Sequence, residues 1–518
     1  MRRISRRDVL RTTSAGALSM VGTSPFVLGK TKGNTPPSDR PNVLFILTDQ
    51  QRWDSLSCNG NKVVHTPNLD RLASEGVNFT QDTCLSPLCG PSRAALLTGR
   101  LAHHHRCYGN YELYEKKGLA EDIPTFDELL HETGYECEYQ GKWHTGYAHR
   151  EVYRDGLKDH YLHLYHDEMT KRFPLPVAWK SLNLRKDRYT KLPYKPWPVD
   201  DMMLNAPQNG FSMPHDNEAG ESYIPHEHSL TAWTTQRAIR YLRSGPKRPF
   251  SMTCSILHPH APLIACSPYH RMFDPSKMPI PSNVFDDGSA SHPRRPVPGA
   301  VPVTPEGLGS FMALYYGLVA EVDHWVGEIL RALKEAGLEQ NTLVVFTSDH
   351  GEMMGSHGTF SKANFHEEAF RVPLLMRLPG RIPAGMKSDA PANGMDIVPS
   401  ILDFCGIQHP QNPLAGHSLR PLVEGKSFKR PYAFGEFYYR KGHVHAVRSR
   451  EWKLILYHNG RAHLYKLQTD PGEQHNLLSP ENRKPSHVDL AQELRGRLQA
   501  YLEEQGDPAH KTLSTLDA

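Results

Sequence analysis

Asn42-Val43-Leu44-Phe45-Ile46-Leu47-Thr48, followed at once by Asp49, is an unbroken apolar run of strand length that ends in a carboxylate. A strand with one solvated face alternates apolar and polar residues. A strand without that alternation is covered on both faces, as in the middle of a parallel sheet. Thr342-Leu343-Val344-Val345-Phe346-Thr347-Ser348 repeats the pattern late in the chain, and Asp349-His350-Gly351 closes it. Two buried strands ending in carboxylates predict an open α/β sheet with its site at the carboxyl edge of the strands. Helical segments alternate with them: Pro67 to Ala73, stopped near Gly76; a capping box at Thr125-Phe126-Asp127-Glu128 ahead of Leu129 and Leu130, stopped at Gly134; and Phe311 to Ala336 with Gly337 after it. Residues 40–418 therefore read as a doubly wound, mostly parallel α/β domain flanked by helices.

Working outward, the pattern changes after Arg420. Tyr432 to Phe437, His443 to Ser449, Lys453 to Tyr457 and Ala462 to Tyr465 are short strand-like runs separated by Gly and Asn, and a helix over Val488 to Glu504 follows. Residues 419–518 are expected to form a small antiparallel sheet plus helix. The stretch 150–245, rich in Tyr, Trp, His, Pro and Lys with little periodicity, is expected to be long loops over the sheet edge. At the other end, Ser5-Arg6-Arg7-Asp8-Val9-Leu10 and the weakly apolar Thr12 to Gly29 resemble a twin-arginine export signal over residues 1–29, with 30–39 as a Pro-, Gly- and Ser-containing linker. That signal predicts recognition by the twin-arginine translocase and a periplasmic or secreted protein. Its apolar part is too short and too polar for a stable membrane span.

A length of 518 residues suffices for one large core plus a smaller unit, and a net charge of +4 gives no polyanion-binding stripe, so no nucleic-acid partner is expected. The 30 histidines suit a site that handles metal and protons. The eight cysteines, 58, 84, 89, 107, 137, 254, 266 and 405, have no framework spacing, and setting Cys89 aside leaves an odd number. They read mostly as buried free thiols.

Cys89-Gly90-Pro91-Ser92-Arg93, running into Ala94-Ala95-Leu96-Leu97-Thr98-Gly99-Arg100, puts a thiol just ahead of a Pro-started helix that ends at a glycine. Backbone N–H groups and the positive end of the helix stabilise any anion formed or met there. The segment resembles the sulfatase signature C-x-P-S-R with its following T-G-R. Other stretches match that family, within the alkaline-phosphatase-like superfamily, in family order over roughly residues 40–478. They are Thr48-Asp49-Gln50, where the family usually has Asp-Asp; Gly141-Lys142-Trp143-His144; Pro259-His260-Ala261-Pro262; Thr347-Ser348-Asp349-His350-Gly351; Gly355-Ser356-His357-Gly358 with Ser361-Lys362 and Arg371-Val372-Pro373-Leu374; and Asp470-Pro471-Gly472-Glu473 with Asn476-Leu477.

The resemblance implies an exported sulfatase in which a formylglycine-generating enzyme converts Cys89 to formylglycine (3-oxoalanine). It implies one Ca2+, with Mn2+ or Mg2+ as lesser alternatives, held by oxygen ligands at ~2.3–2.6 Å from Asp49, Gln50, Asp349 and modified residue 89, with His350 binding metal or substrate. One hydroxyl of the aldehyde hydrate attacks sulfur, and collapse of the other expels sulfate. By the same resemblance Arg93 holds residue 89, Lys142 and His144 stabilise charge and remove a proton, and His260 and Lys362 serve the leaving group. Lys142 and His144, two apart on what reads as a strand, are expected to face the site together.

His258 and His357 read as flanking residues, Arg371 as the structural start of a strand, Asp396 and Asp403 as caps or surface charges, and His103-His104-His105 as a solvated loop. The expected substrate is a sulfate ester, read as a sulfated saccharide. The competing readings are a phosphonate monoester or phosphodiester hydrolase with the same nucleophile, and a non-catalytic carbohydrate-binding protein.

Overall fold

The computed structural model describes residues 40–110, 118–146, 152–153, 161–173, 185–186, 193–196, 219–246, 249–284, 305–408, 414–428, 430–439 and 442–513. The expected export signal and linker, residues 1–39, lie outside them, as does much of 150–218.

The strands of the main sheet are β1 (Asn42–Asp49), β2 (Val77–Phe79), β3 (Glu136–Gly141), β4 (Phe250–Pro259), β5 (Thr342–Ser348), β6 (Leu374–Arg377) and β7 (Met386–Ser388). They lie in the order β7-β2-β6-β5-β1-β4-β3, all parallel except β6, which runs antiparallel to both of its neighbours. The helices that matter here are α1 (Pro67–Ser74), α2 (Cys89–Thr98), α3 (Phe126–Glu132), α4 (Leu230–Arg243), α5 (Pro305–Glu335), α6 (Ile397–Phe404) and α7 (Pro485–Glu504).

The unbroken apolar run of β1 is explained by two cores. Val43, Phe45 and Leu47 pack with Phe126 and Leu130 of α3 and Ile397 and Ile401 of α6 on one face. Leu44 and Ile46 pack with Val322, Val326 and Ile329 of α5 on the other. β5 divides in the same way, Leu343 and Val345 against Val344 and Phe346. Each such fully buried side chain contributes ~1.5–3 kcal/mol, so loss of alternation is the sequence mark of a two-sided core.

Register then places the chemistry. Asn42 to Thr48 pair in parallel with Thr342 to Ser348, so Asp49 and Asp349 emerge together one step beyond Thr48 and Ser348. On the other side of β1, Leu47 pairs with Ser255 but Asp49 with Pro259. The bulge pushes His258 and His260 forward at the same edge.

Four C-terminal strands, β8 (Ala433–Tyr439), β9 (Gly442–Arg448), β10 (Trp452–Tyr457) and β11 (Ala462–Lys466), form an antiparallel meander. α7 covers one face through Ala491, Leu494, Leu498 and Leu502.

Two expectations are corrected and a third is decided between its alternatives. The stretch 150–245 is not only loop: Tyr161–Arg172 and α4 are helices, and α4 packs Ala238, Ile239 and Leu242 on the sheet. His103 to His105 belong to a short helix, with His105 fully buried and His103 Nδ1 3.0 Å from Asp507. Of the two readings of Asp396, cap or surface charge, the structure shows the cap: it is buried, completes a capping box with Asn393 and pairs with Arg430.

Candidate active site

The site is built on β1, β5, the bulged end of β4 and the first turn of α2. α2 begins at Cys89 itself, with Leu88 as its extended N-cap, so the thiol lies within the helix's first turn rather than ahead of it. Gly99 ends the helix at φ 66°, where glycine meets no Cβ penalty. One turn on from Cys89, the buried Arg93 spreads its donors over the whole centre. Nε bonds Asp349 Oδ2 at 2.7 Å, Nη2 bonds Asp49 Oδ2 at 2.9 Å, and Nη1 reaches the Lys142 carbonyl at 2.9 Å and Ser255 Oγ at 2.7 Å. Lys142 Nζ also bonds Asp49 Oδ2, at 2.6 Å.

With both Oδ2 atoms engaged, the Oδ1 atoms face the thiol. Asp49 Oδ1 is 3.8 Å from Cys89 Sγ, and Asp349 Oδ1 is 3.6 Å from His350 Nε2 while accepting the backbone N–H groups of Gln50 and His350. His350 gives its Nδ1 to the Gly351 carbonyl at 2.9 Å, and its Nε2 lies 3.1 Å from Cys89 Sγ. One ligand atom each from Asp49, Cys89, Asp349 and His350 fall within 4.8 Å of one another, all four residues buried. The two carboxylates and the nearby Gln50 amide make an oxygen-rich donor set that fits a hard divalent cation, with imidazole as the softer exception.

A second group adjoins this one. Gln50, held in the left-handed region at φ 64°, accepts from Lys362 Nζ through its amide oxygen and donates its amide nitrogen to Glu352. Lys362 Nζ lies 2.6 Å from His260 Nε2, whose Nδ1 is taken up by the Ala261 carbonyl.

Electrostatics follow from this crowding. Burial and the Asp49 charge push the Cys89 thiol up, but Lys142, Lys362 and His350 outweigh them and hold it well below the usual thiol range. Burial likewise opposes ionisation of Asp49, yet Lys142, His260 and Arg93 keep it well below the carboxylate range. Asp349 moves the other way, raised by burial and by the Asp49 charge beside it. Burial and Lys362 lower His260, so it is a neutral imidazole at rest.

Residues 41–407 match the sulfatase family profile, and residues 355–503 match that of the N-sulphoglucosamine sulphohydrolase C-terminal region. The chain belongs to the sulfatase family. As such it is a hydrolase of sulfate esters. It is 31% identical to an arylsulfatase of Clostridium perfringens, over 89% of this chain and 96% of that one. It is 27% identical to an N-acetylglucosamine-6-O-sulfatase of Bacteroides thetaiotaomicron, over 91% and 88%. Its fold is similar to the crystal structure of a phosphonate monoester hydrolase of Agrobacterium radiobacter, with a TM-score of 0.71 and 25% identity over 90% and 96% of the two chains. The sulfatase is therefore an alkaline-phosphatase-like α/β protein with a small C-terminal antiparallel sheet.

The structure brings together Asp49, Gln50, Cys89, Arg93, Lys142, His260, Asp349, His350 and Lys362. It does not place Lys142 and His144 on one strand face. β3 stops at Gly141, and His144 is half-buried on a left-handed turn at φ 59°. His258 bonds Thr231 Oγ1 at 2.7 Å and sits 3.9 Å from Glu321, one layer behind His260. His357 stacks on His366, with ring centroids 3.8 Å apart, in the lining of a separate cavity of about 720 Å³ against the C-terminal sheet. Arg371 lies over Trp53 at 3.4 Å and bonds the Thr80 carbonyl, and its strand begins only at Leu374.

Sequence reasoning missed Glu352, which fixes Gln50 and accepts the Met354 and Ser361 N–H groups. It missed Ser255 under Arg93 and Tyr315, which bonds the Gln50 carbonyl at 2.7 Å. Glu352 directly follows the Asp-His-Gly motif and was within reach of inspection. Ser255 and Tyr315 carry no local signal.

Proposed function

We propose that this sulfatase cleaves a sulfate ester on a sulfated carbohydrate, outside the cytoplasm, using formylglycine made from Cys89 and a Ca2+ ion held by Asp49, Gln50 and Asp349 with His350 beside them. The observation that carries the reading is the buried convergence of Asp49, Cys89, Asp349 and His350 with three cationic side chains, Arg93, Lys142 and Lys362. The carbohydrate is supported by the similarity to the N-acetylglucosamine-6-O-sulfatase. Export is supported by the twin-arginine-like segment at Arg6 and Arg7. Passage of folded cargo would leave time for oxidation of Cys89 before translocation.

When present, the formylglycine hydrate and the cation supply a low-pKa hydroxyl nucleophile, screening of the ester's oxygens and an exit for sulfate. The chain's own residues do the rest. Arg93 holds both carboxylates in their ionised geometry and ties them to the end of β3 through the Lys142 carbonyl. Lys142, fixed by Asp49, offers its remaining N–H groups to an ester oxygen. Lys362 Nζ lies 2.6 Å from His260 Nε2, so the pair can hand a proton to the departing oxygen.

Peptide mass spectrometry and paired rates test the reading. The peptide containing residue 89 should be about 18 Da lighter than the cysteine form when the protein is made with its modifying enzyme, from replacement of the thiol by an aldehyde. Aryl sulfate should be cleaved faster than aryl phosphonate. An unmodified Cys89 in a fully active enzyme, or a phosphonate rate hundreds-fold above the sulfate rate, overturns it.

A further inference from the structure

We propose that Glu352 is a positioning residue for the leaving-group side of the reaction. It holds Lys362 against His260 through the Gln50 amide and through the turn that carries the lysine. The inference rests on the leaving-group reading of Lys362 and His260 above and assigns the group that aims them.

Glu352 directly follows Gly351 of the Asp-His-Gly motif, and it is buried. Its backbone is fixed independently, since Arg52 Nη1 donates to its carbonyl at 3.0 Å. From that fixed point its two carboxyl oxygens do separate work. Oε2 accepts the Gln50 amide nitrogen, and Oε1 accepts the backbone N–H groups of Met354, at 3.1 Å, and of Ser361.

The first contact orients an amide. Gln50 Nε2 donates to Glu352 while its Oε1 accepts from Lys362 Nζ, which lies 2.6 Å from His260 Nε2. A carboxylate offers no donor, so the amide nitrogen faces Glu352 and the oxygen is left for the lysine. Turned over, the same amide would set its oxygen against the carboxylate and its N–H groups against Lys362.

The second contact closes a turn whose backbone is strained. Met354, His357, Ser361 and Ala363 adopt left-handed conformations, at φ 49°, 51°, 68° and 74°. Such conformations crowd a Cβ, which all four residues carry, and surrounding contacts must hold them. The Met353 N–H bonds the Ser361 carbonyl at 2.8 Å, and Glu352 Oε1 takes the Ser361 N–H beside it. The next residue is Lys362. Both contacts of the Glu352 carboxyl therefore converge on one side chain.

Glu352→Gln keeps the shape but replaces one accepting oxygen with an amino group. Phenyl sulfate, the ester of the poorer leaving group, needs a proton at the departing oxygen more than p-nitrophenyl sulfate does. We expect kcat/KM to fall about 100-fold on phenyl sulfate, the cost of misplacing a catalytic group by about 1 Å, and less than about 10-fold on p-nitrophenyl sulfate. Lys362→Ala should show the same dependence on leaving group. The double variant Glu352→Gln, Lys362→Ala should be no slower than Lys362→Ala alone, because a group that acts through the lysine has nothing left to aim. Losses that multiply in the double variant overturn the proposal. So does retention of kcat/KM on phenyl sulfate within about twofold, or an equal loss on both esters in Glu352→Gln while Lys362→Ala discriminates between them. Loss of bound metal in proportion to activity overturns it too, by assigning Glu352 to the cation site. If Lys362→Ala slows both esters alike, the leaving-group reading falls instead, and the double variant decides alone whether Glu352 acts through Lys362. Should Glu352→Gln give no soluble protein, Glu352→Asp, which keeps both oxygens on a shorter stem, carries the same comparisons.

Discussion

Arg93 has four hydrogen bonds to two carboxylates, a carbonyl and a serine, and no solvent exposure with which to relax. Its planar fork spans acceptors on two strands, β1 and β4, and just beyond the ends of two more, β3 and β5, which a lysine ammonium cannot match. Arg93→Ala leaves Asp49 and Asp349 buried beside each other without their shared guanidinium, and removal of one partner from a buried ion network costs about 3–5 kcal/mol. Thermal and urea denaturation should register that loss, and Arg93→Lys should recover part of the stability but not the turnover. A different result is expected at Lys362, which is bonded to Gln50 and His260 rather than to the Asp pair. Lys362→Ala should lower kcat by about 10²–10⁴-fold, the span of general acid–base contributions, while metal stoichiometry by mass spectrometry stays at the wild-type value. Loss of metal in step with activity would instead make Lys362 a support for Gln50.

At the scale of elements, the end of β3 decides where Lys142 points. Gly141 adopts φ +99°, and a Cβ there would stand 1.9 Å from the Ser255 carbonyl oxygen on β4. Gly141→Ala should therefore force β3 from β4, misplace Lys142 and cost activity and soluble yield together, measured by turnover per folded molecule. This junction also shows where sequence reading ends. β1 and β5 were legible because burial on both faces leaves an unbroken apolar run, and equal register made Asp49 and Asp349 neighbours. The capping box was legible because its partners are three residues apart, and Thr125 and Glu128 do exchange both bonds. Lys142 and His144 were misread as strand residues because a left-handed glycine ends a strand without any change in side-chain pattern. Ser255 and Tyr315 reach the site only through tertiary packing, which no local spacing encodes. α3 supplies a pH test. Asp127, in its first turn, is buried with Oδ2 on the Tyr153 hydroxyl at 3.0 Å, and burial pushes its pKa up to about 7. A raised carboxyl stabilises the fold below its unfolded pKa of ~3.9, and that contribution is lost as pH climbs through about 7. Asp127→Asn should thus show a smaller fall in thermal midpoint between pH 5 and pH 8 than the wild type does. An equal fall in both proteins would remove Asp127 from the account.

Across the whole molecule, the C-terminal sheet does more than cover an edge. Lys453 on β10 lies fully buried between Glu367, at 2.9 Å, and Glu473 of the Asp-Pro-Gly-Glu segment, at 2.6 Å, and Arg448 on β9 takes the other oxygen of Glu367 at 2.7 Å. Burial would raise the Glu367 pKa, but Arg448 and Lys453 hold it well below the carboxylate range. Glu367 opens the short helix Glu367–Phe370, whose Ala369 carbonyl accepts the Gly351 N–H at 2.9 Å, directly after Asp349 and His350. The C-terminal motif therefore acts as a brace, reaching the Asp349–Gly351 turn through one buried cation and one turn of helix. Lys453→Met keeps the bulk and removes the charge, leaving Glu367 and Glu473 to repel each other where water cannot screen them. The expected cost is about 3–5 kcal/mol, seen as a lowered thermal midpoint and urea midpoint, with turnover falling because the Gly351 turn loosens. Lys453→Met combined with Glu473→Gln removes one of the stranded charges and should recover a measurable part of the stability. A single variant as stable as the wild type would show that the two carboxyls share a proton without the lysine, and the brace would then rest on Arg448 alone.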